Sequence, residues 1–454
     1  MLYLYIWLFP ILAGALSWLL KSEKLNKLLI LIHSVIHLGF GLALFFPGRR
    51  LSAALNIDNY SVWFFAVSAL LYFAVAIYTL QQDQRLSPRQ SSIYAVCLMA
   101  FVASMDGANL SRDLGLIWVF VETTTLASAM LISFEHHKQS LEAAWKYLFI
   151  CSIGIALAFM GILLLIIAQP ATPSLSLDRI IQRGYWINSF WLKLSFVFML
   201  IGFGTKVGLA PMHFWLPDAH SEAPAGISAL LSGALLNTAL LPLLRMQKVL
   251  SAAQLGYLAS QLFIALGLAS LFVAAVFILK VKNYKRLLAY SSIENMGIIL
   301  IAFALGDLAG KAGLIHTLGH SLIKAAFFLS AGNLYSLYKA KDYNRCSGLL
   351  SRDPNTGWLW LICFVFIIGM PPSPLFFSEL YIALGLLASG NYFVLALWFI
   401  LLASIVYGLG KASLEICMGY SEEKTRLPFS QYLPQAMLLL LAVAVPIAVL
   451  LLRP

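Results

Sequence analysis

The chain has 454 residues, of which 61% are hydrophobic and only 11% are charged, and its formal net charge is +11. A soluble domain of ordinary composition is about 25% charged, so these values exclude a soluble globular protein. A basic excess would indicate nucleic acid in a soluble protein, but here basic cytoplasmic loops explain it first. We therefore expect the lipid bilayer, and no nucleic acid, as a partner.

Apolar runs recur along the whole chain, and many reach the length of about 20 residues that a bilayer crossing needs. They predict an all-α, polytopic membrane protein with about fourteen helices in a single membrane domain, residues 1–454. The first run lacks a basic start, so we interpret it as a span and not as a cleavable signal peptide. The predicted spans, in chain order, are 2–20, 27–46, 60–80, 91–105, 113–133, 144–168, 190–213, 225–247, 255–279, 286–305, 312–338, 357–388, 392–417 and 431–452.

Basic residues are distributed unevenly between the two sets of predicted loops. The richer side carries Lys21, Lys24, Lys27, Arg85, Arg89, Lys138, Lys280, Lys282, Lys285, Arg286, Lys339, Lys341, Arg345, Arg352, Lys424 and Arg426. The side of the two termini carries Arg49, Arg50, Arg112, Arg179, Arg183, Arg245, Lys248, Lys311 and Arg453. Because cytoplasmic loops are enriched in lysine and arginine, we expect the richer side to face the cytoplasm. Both termini are then predicted on the outer face of the cell inner membrane.

Two predicted spans contain helix breakers. The seventh includes Gly208 and Pro211, and the twelfth includes Gly369, Pro371 and Pro372. Proline removes a backbone donor and clashes with the preceding turn, so both helices are predicted to be broken. Paired broken helices are typical of repeat-built transporters, where the breaks line the ion path, although prolines also kink membrane helices for packing alone.

Several ionisable residues fall inside predicted spans, where a charge at the bilayer centre costs at least about 2.5–3.5 kcal/mol. Such residues normally face protein or water and mark ion routes. The candidates are Glu122, Lys206, His316, His320, Lys324 and Glu379, with Glu294 nearer the cytoplasmic edge.

Each candidate also has a structural interpretation. Lys324 could pair with a carboxylate for packing alone, and Glu294 could be a hydrated structural residue. His33 and His37, one turn apart in the second span, are interpreted as interior histidines with satisfied hydrogen bonds.

The spacing of the candidates in the eleventh span favours proton transfer. His316, His320 and Lys324 follow an i, i+4, i+8 pattern and therefore share one face of a helix. Histidine titrates near physiological pH, so such a face could pass protons through intervening water. Burial favours a neutral amine and a nearby glutamate favours a charged one. We therefore interpret Lys206 as a proton-carrying site with Glu122 as its candidate partner.

The five cysteines are scattered and include no CxxC pair. This pattern argues against a zinc site, an iron–sulfur cluster or a disulfide framework. We expect no cofactor and no metal in the chain.

Five segments resemble motifs of one membrane-protein family. The segment KVGLAPMHFWLPDAHSEAPAGISALLSG at 206–233 resembles the signature of the antiporter-like subunits of respiratory complex I, Mrp-type cation/proton antiporters and membrane-bound hydrogenases. KRLLAYSSIENMG at 285–297, HSLIKAAFFLSAGN at 320–333 and GMPPSPLFFSEL at 369–380 are similar to further family motifs. WVFVETTTLASAMLISFEHHKQSLEAAWKYLFICS at 118–152 most resembles the F-type subunit of hydrogenase-4, a group 4 nickel–iron hydrogenase.

The resemblance implies a domain organisation and a proton path along the membrane midplane. Helices 1–3 would occupy about 1–90, and two inverted five-helix repeats would follow at 91–250 (helices 4–8) and 251–420 (helices 9–13). Helix 14 would occupy 421–454.

The resemblance also implies roles for particular residues. Glu122 matches the family's glutamate of the fifth helix, and Lys206 matches its lysine of the seventh. His320 matches a central histidine of the eleventh helix, and Glu379 matches the residue after the break in the twelfth. Asn237 stands where many complex I relatives carry a lysine, and it joins His213 and Glu294 as a possible accessory residue.

The sequence therefore predicts a proton-translocating subunit of a membrane-bound hydrogenase, without a catalytic centre of its own. The expected partners are antiporter-like and module-anchoring membrane subunits and peripheral redox subunits with iron–sulfur clusters. The alternatives are a complex I chain M/N-like subunit, an Mrp-type sodium/proton antiporter subunit, a haem-bearing or quinone-reducing membrane subunit, and a spacer without transport.

Overall fold

The computed structural model describes residues 2–45, 57–81, 87–135, 137–170 and 172–451. Arg49, Arg50, Arg85 and Arg453, which belong to the orientation prediction, lie outside the described residues. The main helices are α1 Leu2–Leu20, α2 Glu23–Phe45, α3 Asn59–Gln81, α4 Pro88–Leu110, α5 Leu114–Ile132, α6 Lys138–Ala168, α7 Ser189–Val207, α8 Trp215–Glu222, α9 Ala225–Ala252, α10 Gly256–Ile278, α11 Tyr284–Leu305, α12 Asp307–Tyr338, α13 Pro354–Ile367, α14 Pro374–Ala388, α15 Tyr392–Cys417 and α16 Leu433–Leu451.

The number of membrane-crossing segments agrees with the prediction. Within the described residues, 11 helices are long and apolar enough to cross a membrane. Helix α1, helix α16 and the broken pair α13 and α14, taken as one segment, are also apolar and bring the total to the fourteen expected. The all-α, polytopic fold class is therefore confirmed.

Both predicted helix breaks are present. Helix α7 ends at Val207 and is followed by Gly208 at φ +79, while α13 ends at Ile367 and is followed two residues later by Gly369 at φ +70. These left-handed conformations are readily adopted by glycine, which has no Cβ. The seventh span was expected to continue to residue 213, but its helix stops six residues earlier because Gly208 reverses the backbone.

Polar caps set two helix starts in the first half of the chain. The Ser87 hydroxyl accepts from the Gln90 backbone N–H at 3.3 Å, and the Gln90 side chain accepts from the Ser87 N–H at 3.0 Å. The Asp113 carboxylate accepts from the N–H groups of Gly115 and Leu116 at the start of α5. Such caps satisfy backbone donors that the first helical turn leaves unpaired.

The described chain divides into two compact units, Met1–Val207 with Glu222–Ala259, and Gly208–Ser221 with Ser260–Pro454. In the first unit, small residues bring α6 and α7 close together. A Cβ on Gly161 would lie 2.7 Å from Cγ of Met199 and 2.8 Å from the carbonyl oxygen of Ser195. The Ser195 hydroxyl donates to the Gly161 carbonyl at 2.6 Å across the same contact. Small residues allow this approach between membrane helices.

In the second unit, the long helix α12 lies at the centre. It packs against α11, α13, α14 and α16. Every residue from 319 to 334 on α12 is buried, including charged and polar side chains. This enclosure keeps His320 and Lys324 away from lipid.

Candidate functional site

Lys206 is the penultimate residue of α7 and is fully buried. Its Nζ donates to Oγ1 of Thr125 at 2.5 Å and to the hydroxyl of Tyr147 at 2.7 Å. The Tyr147 hydroxyl also lies 2.6 Å from Oγ of Ser128. Helices α5 and α6 therefore supply neutral hydroxyl groups to a buried amine.

Glu122 reaches the same cluster from α5. Its Oε1 accepts from the Ser152 hydroxyl at 2.7 Å, and its Oε2 accepts from the Thr125 hydroxyl at 3.3 Å. The Thr125 hydroxyl thus accepts from Lys206 and donates to Glu122. The structure connects the two predicted charged residues through one threonine, where the sequence had suggested only a partnership between them.

The residues that complete this cluster were not predicted from the sequence. Thr125 lies three positions after Glu122 and therefore on the same helix face, so this spacing was an available signal. Ser152 carries no comparable signal, because serine hydroxyls in helices often bond to their own backbone. Tyr147 lies on α6, so helix spacing does not relate it to Glu122 on α5.

His316 on α12 is held at both ring nitrogens. Its Nδ1 lies 2.8 Å from Oγ of Ser378, and its Nε2 lies 3.0 Å from Oδ1 of Asn295. Because Nδ2 of Asn295 donates to the Ser291 carbonyl at 2.7 Å, the amide presents its oxygen to the histidine. Nε2 of His316 therefore carries a proton, and Nδ1 is the nitrogen that can gain one.

Ser378 can accommodate both protonation states of His316. Its hydroxyl is placed to donate to the Leu375 carbonyl at 2.9 Å. When His316 is neutral, the hydroxyl can donate to Nδ1, and when His316 is charged, Nδ1 donates to Ser378 and the hydroxyl turns to Leu375. The sequence did not identify Asn295 or Ser378.

His320 and Lys324 follow His316 on the same face of α12, and all three are fully buried. Within the part of the chain that the structure describes, neither ring nitrogen of His320 has a hydrogen-bond partner. Nζ of Lys324 donates to the Leu288 carbonyl at 2.7 Å. Buried polar atoms are nearly always hydrogen-bonded, so His320 points to bound water along this face.

Glu294 is 4% exposed, and its Oε2 has no hydrogen-bond partner among the described residues. Glu294 is enclosed by protein, because residues 287–304 of α11 are all buried. Its charge interacts with those of Lys324 and Glu379.

Glu379 folds back onto the second helix break. A Cβ on Gly369 would lie 2.5 Å from Oε2 and 3.0 Å from Cδ of Glu379. The carboxylate therefore occupies the space that the missing side chain of Gly369 leaves open.

The two other accessory candidates lie apart from these contacts. Nδ2 of Asn237 donates to the Gly233 carbonyl at 2.7 Å, beside the π-helical stretch Leu231–Leu235. The His213 ring lies 4.7 Å from Phe214 and 6.3 Å from Tyr290, measured between centroids. The described residues contain no group of three or more His, Cys, Asp or Glu side chains that could hold a metal ion.

These features define a polytopic helical membrane protein in which ionisable side chains are buried between the membrane-spanning helices. The family described as NADH:quinone oxidoreductase/Mrp antiporter, transmembrane, matches residues 111–406. A hydrogenase-4 component F homolog of Methylacidiphilum infernorum is 35% identical over 82% of this chain and 81% of that protein. A Na(+)/H(+) antiporter component of Bacillus subtilis is 28% identical over 82% of this chain and 74% of that protein.

A similar fold occurs in a chain of the membrane-bound sulfane sulfur reductase, an archaeal respiratory membrane complex. It superposes with a TM-score of 0.89 at 21% identity, covering 98% of this chain and 95% of that chain. The chain belongs to the NADH:quinone oxidoreductase/Mrp antiporter family, and it is an antiporter-like membrane subunit.

Proposed function

We propose that this subunit translocates protons within a membrane-bound hydrogenase of the hydrogenase-4 type. The buried Lys206, linked through Thr125 to Glu122, is the observation that carries the proposal. The similarity to the hydrogenase-4 component F homolog supports the choice of complex. Electron transfer in partner subunits would supply the free energy, and peripheral iron–sulfur subunits are the proposed redox partners.

The first cluster can move a proton without leaving a net charge behind. Lys206 gives a proton to the oxygen of Thr125 while the proton of Thr125 passes to Glu122. A charged amine and a charged carboxylate become a neutral amine and a neutral acid. Because no unpaired charge is created in the low-dielectric interior, the transfer avoids the cost of burying an isolated ion. A change at the edge of the subunit that destabilises the negative charge of Glu122 would drive this proton transfer.

The second cluster can hold a proton at His316 and pass it along α12. The alternation of the Ser378 hydroxyl supports both charge states of His316. His320 and Lys324 would continue the transfer through water, with Glu294 offsetting the Lys324 charge. Glu379, at the second break, is the proposed exit group. In the proposed domain plan, these two clusters belong to the repeats at 91–250 and 251–420.

Sodium/proton exchange is the second candidate function, because a Na(+)/H(+) antiporter component is among the relatives. Dependence of proton movement on external sodium in the absence of electron transfer would identify it. Co-purification separates the hydrogenase from complex I, since a nickel–iron large subunit selects the hydrogenase and a flavin subunit selects complex I.

Orientation is tested separately. We propose the cytoplasmic membrane, with both termini outside. Reporter fusions at Lys138 and Arg345 should then be cytoplasmic, and one at Arg179 external. The reverse pattern would overturn this orientation.

The direct test of transport uses the intact complex in sealed vesicles. Lys206→Ala should abolish proton uptake while electron transfer at the partner subunits remains measurable. Lys193→Ala is the matched control, because Lys193 is an exposed lysine of the same helix α7, and it should leave uptake unchanged. Wild-type uptake by Lys206→Ala would contradict the proposed function.

A further inference from the structure

Another buried ionisable pair lies in the N-terminal helices, outside the cluster around Lys206 and the cluster around His316. Nε2 of His37 on α2 is 2.7 Å from Oδ2 of Asp106 on α4, and the side chains are 0% and 2% exposed. The predicted fourth span ended at residue 105, which placed Asp106 in a loop. The helix continues to Leu110, and Asp106 therefore lies inside it.

The remaining polar atoms of this pair form no hydrogen bond to the described residues. Nδ1 of His37 and Oδ1 of Asp106 are buried and have no hydrogen-bond partner within the described ranges. The interpretation of His37 as a satisfied interior histidine is therefore incomplete, whereas Nδ1 of His33 meets the Tyr72 hydroxyl at 3.0 Å. If the pair served only to hold α2 against α4, two buried polar atoms without a hydrogen-bond partner would be an unnecessary cost. When Nε2 of His37 carries the proton directed at Asp106, Nδ1 and Oδ1 are both acceptors, and either atom can take up a further proton.

The charges around the pair favour binding of a proton. A neutral imidazole beside a carboxylate leaves one net negative charge in the interior, which is costly without a counter-ion. The titratable neighbours are His33 on α2 and Tyr72 on α3, and α1 contributes the ring of Phe9 against His33. Asp106 interacts electrostatically with His37, which is also its hydrogen-bond partner. One additional proton makes the pair electrically neutral.

A line of polar groups leads from the pair toward one end of these helices. Ser68 on α3 and Asn109 on α4 are buried, and their side-chain polar atoms have no partner within the described ranges. Asn109 is one turn from Asp106. Ser68 lies between Phe65 and Tyr72, whose rings both contact His37, on the same face of α3.

The line ends at a buried arginine. Arg245 donates to the Ser61 hydroxyl at 2.7 Å and to the Asn109 carbonyl at 3.2 Å. Its partner Asp58 lies 3.4 Å away, and the Asp58 side chain is 17% exposed. The polar groups therefore extend from the buried pair to a solvent-accessible carboxylate.

We propose that His37 and Asp106 form a further proton-binding site of this subunit. The pair takes up one proton from water and returns it by the same route, so its net charge alternates between −1 and zero. The proton exchanges with the aqueous side at Asp58, past Asn109 and Ser68. The site is separate from the Lys206 and His316 clusters and does not depend on the proposed function.

The proposal is tested on the full chain in lipid vesicles by infrared difference spectra recorded between about pH 5 and pH 8, the range in which histidine titrates. We expect a pH-dependent carboxylic-acid or imidazolium band in the wild type. Asp106→Asn and His37→Gln should each remove it. Ser104→Ala is the matched control, because the Ser104 hydroxyl bonds to its own helix at Ala100, and it should retain the band.

The exchange route has its own measurement. Asn109→Leu should leave the band at equilibrium but slow its appearance several-fold after a pH jump, because an apolar side chain interrupts the polar line. Wild-type spectra identical to those of both pair variants would overturn the site. A band that follows sodium concentration at constant pH would also overturn it, because the ligand would then be a metal cation. An unchanged rate in Asn109→Leu would overturn the route.

Discussion

Replacing Thr125 with valine isolates the link between Lys206 and Glu122. The change exchanges one hydroxyl for a methyl group of similar size. Lys206 loses its acceptor at 2.5 Å but keeps the Tyr147 hydroxyl at 2.7 Å, and Glu122 keeps the Ser152 donor at 2.7 Å. The variant therefore removes the bridge and leaves both ionisable residues in place.

The magnitude follows from the lost hydrogen bond to the charged amine. Hydrogen bonds to charged groups contribute about 1.5–3 kcal/mol. At about 1.4 kcal/mol for each factor of ten, this corresponds to roughly a 10- to 150-fold shift from the charged toward the neutral amine. The direct relay to Glu122 is also interrupted. We expect Thr125→Val to lower proton uptake by about tenfold or more, with the complex assembled.

The assay is proton uptake by vesicles that carry the intact complex, normalised to electron transfer. Thr123→Val is the matched control, because the Thr123 hydroxyl is exposed and bonds to the carbonyl of Val119 in its own helix at 2.8 Å. Thr125→Ser should retain uptake, since serine keeps the hydroxyl that valine lacks. Equal uptake by Thr125→Val and Thr123→Val would refute the bridging role of Thr125.

Two further predictions concern the second helix break and the ion pair of Arg245 on α9 with Asp58. Gly369→Ala should displace the Glu379 carboxylate and lower proton uptake, whereas Gly390→Ala should not, because Gly390 has a similar φ of +72 but no neighbouring atom within 4 Å of its Cβ position. Burial tends to raise the pKa of Asp58, but Arg245 and hydrogen bonds from Ser61 outweigh it and leave that pKa below its ordinary value. The pair should therefore stabilise the fold above the unfolded-state pKa of about 3.9 and lose this contribution as the pH falls through the lower folded value. Thermal unfolding in detergent should show that pH dependence in the wild type and not in Asp58→Asn.

The sequence predicted the fold well because membrane helices obey a simple rule. Backbone groups in lipid must be satisfied internally, so long apolar runs identify helices, and glycine with proline identifies the breaks at Gly208 and Gly369. The buried positions of Lys206 and His316 followed from the cost of placing ionisable groups in lipid.

Other features of the sites depend on tertiary packing and could not be obtained this way. Asp106 follows a predicted helix end, and only the packed bundle shows that the helix continues. Glu294 was placed near the edge by its distance along the chain, although neighbouring helices enclose it. Thr125, Tyr147 and Ser378 are ordinary hydroxyl residues whose importance comes from the side chain opposite them.

Replacement of Lys206 by arginine tests the central claim most directly. Arginine keeps the positive charge and can still donate to Thr125 and Tyr147, but with a pKa above about 12 it does not lose its proton in a protein. The measurement is proton uptake into vesicles with the intact complex, alongside electron transfer and assembly. We expect Lys206→Arg to assemble and to pass electrons, with uptake reduced to the level of Lys206→Ala. Full uptake by Lys206→Arg would contradict the account, because Lys206 would then act as a fixed charge.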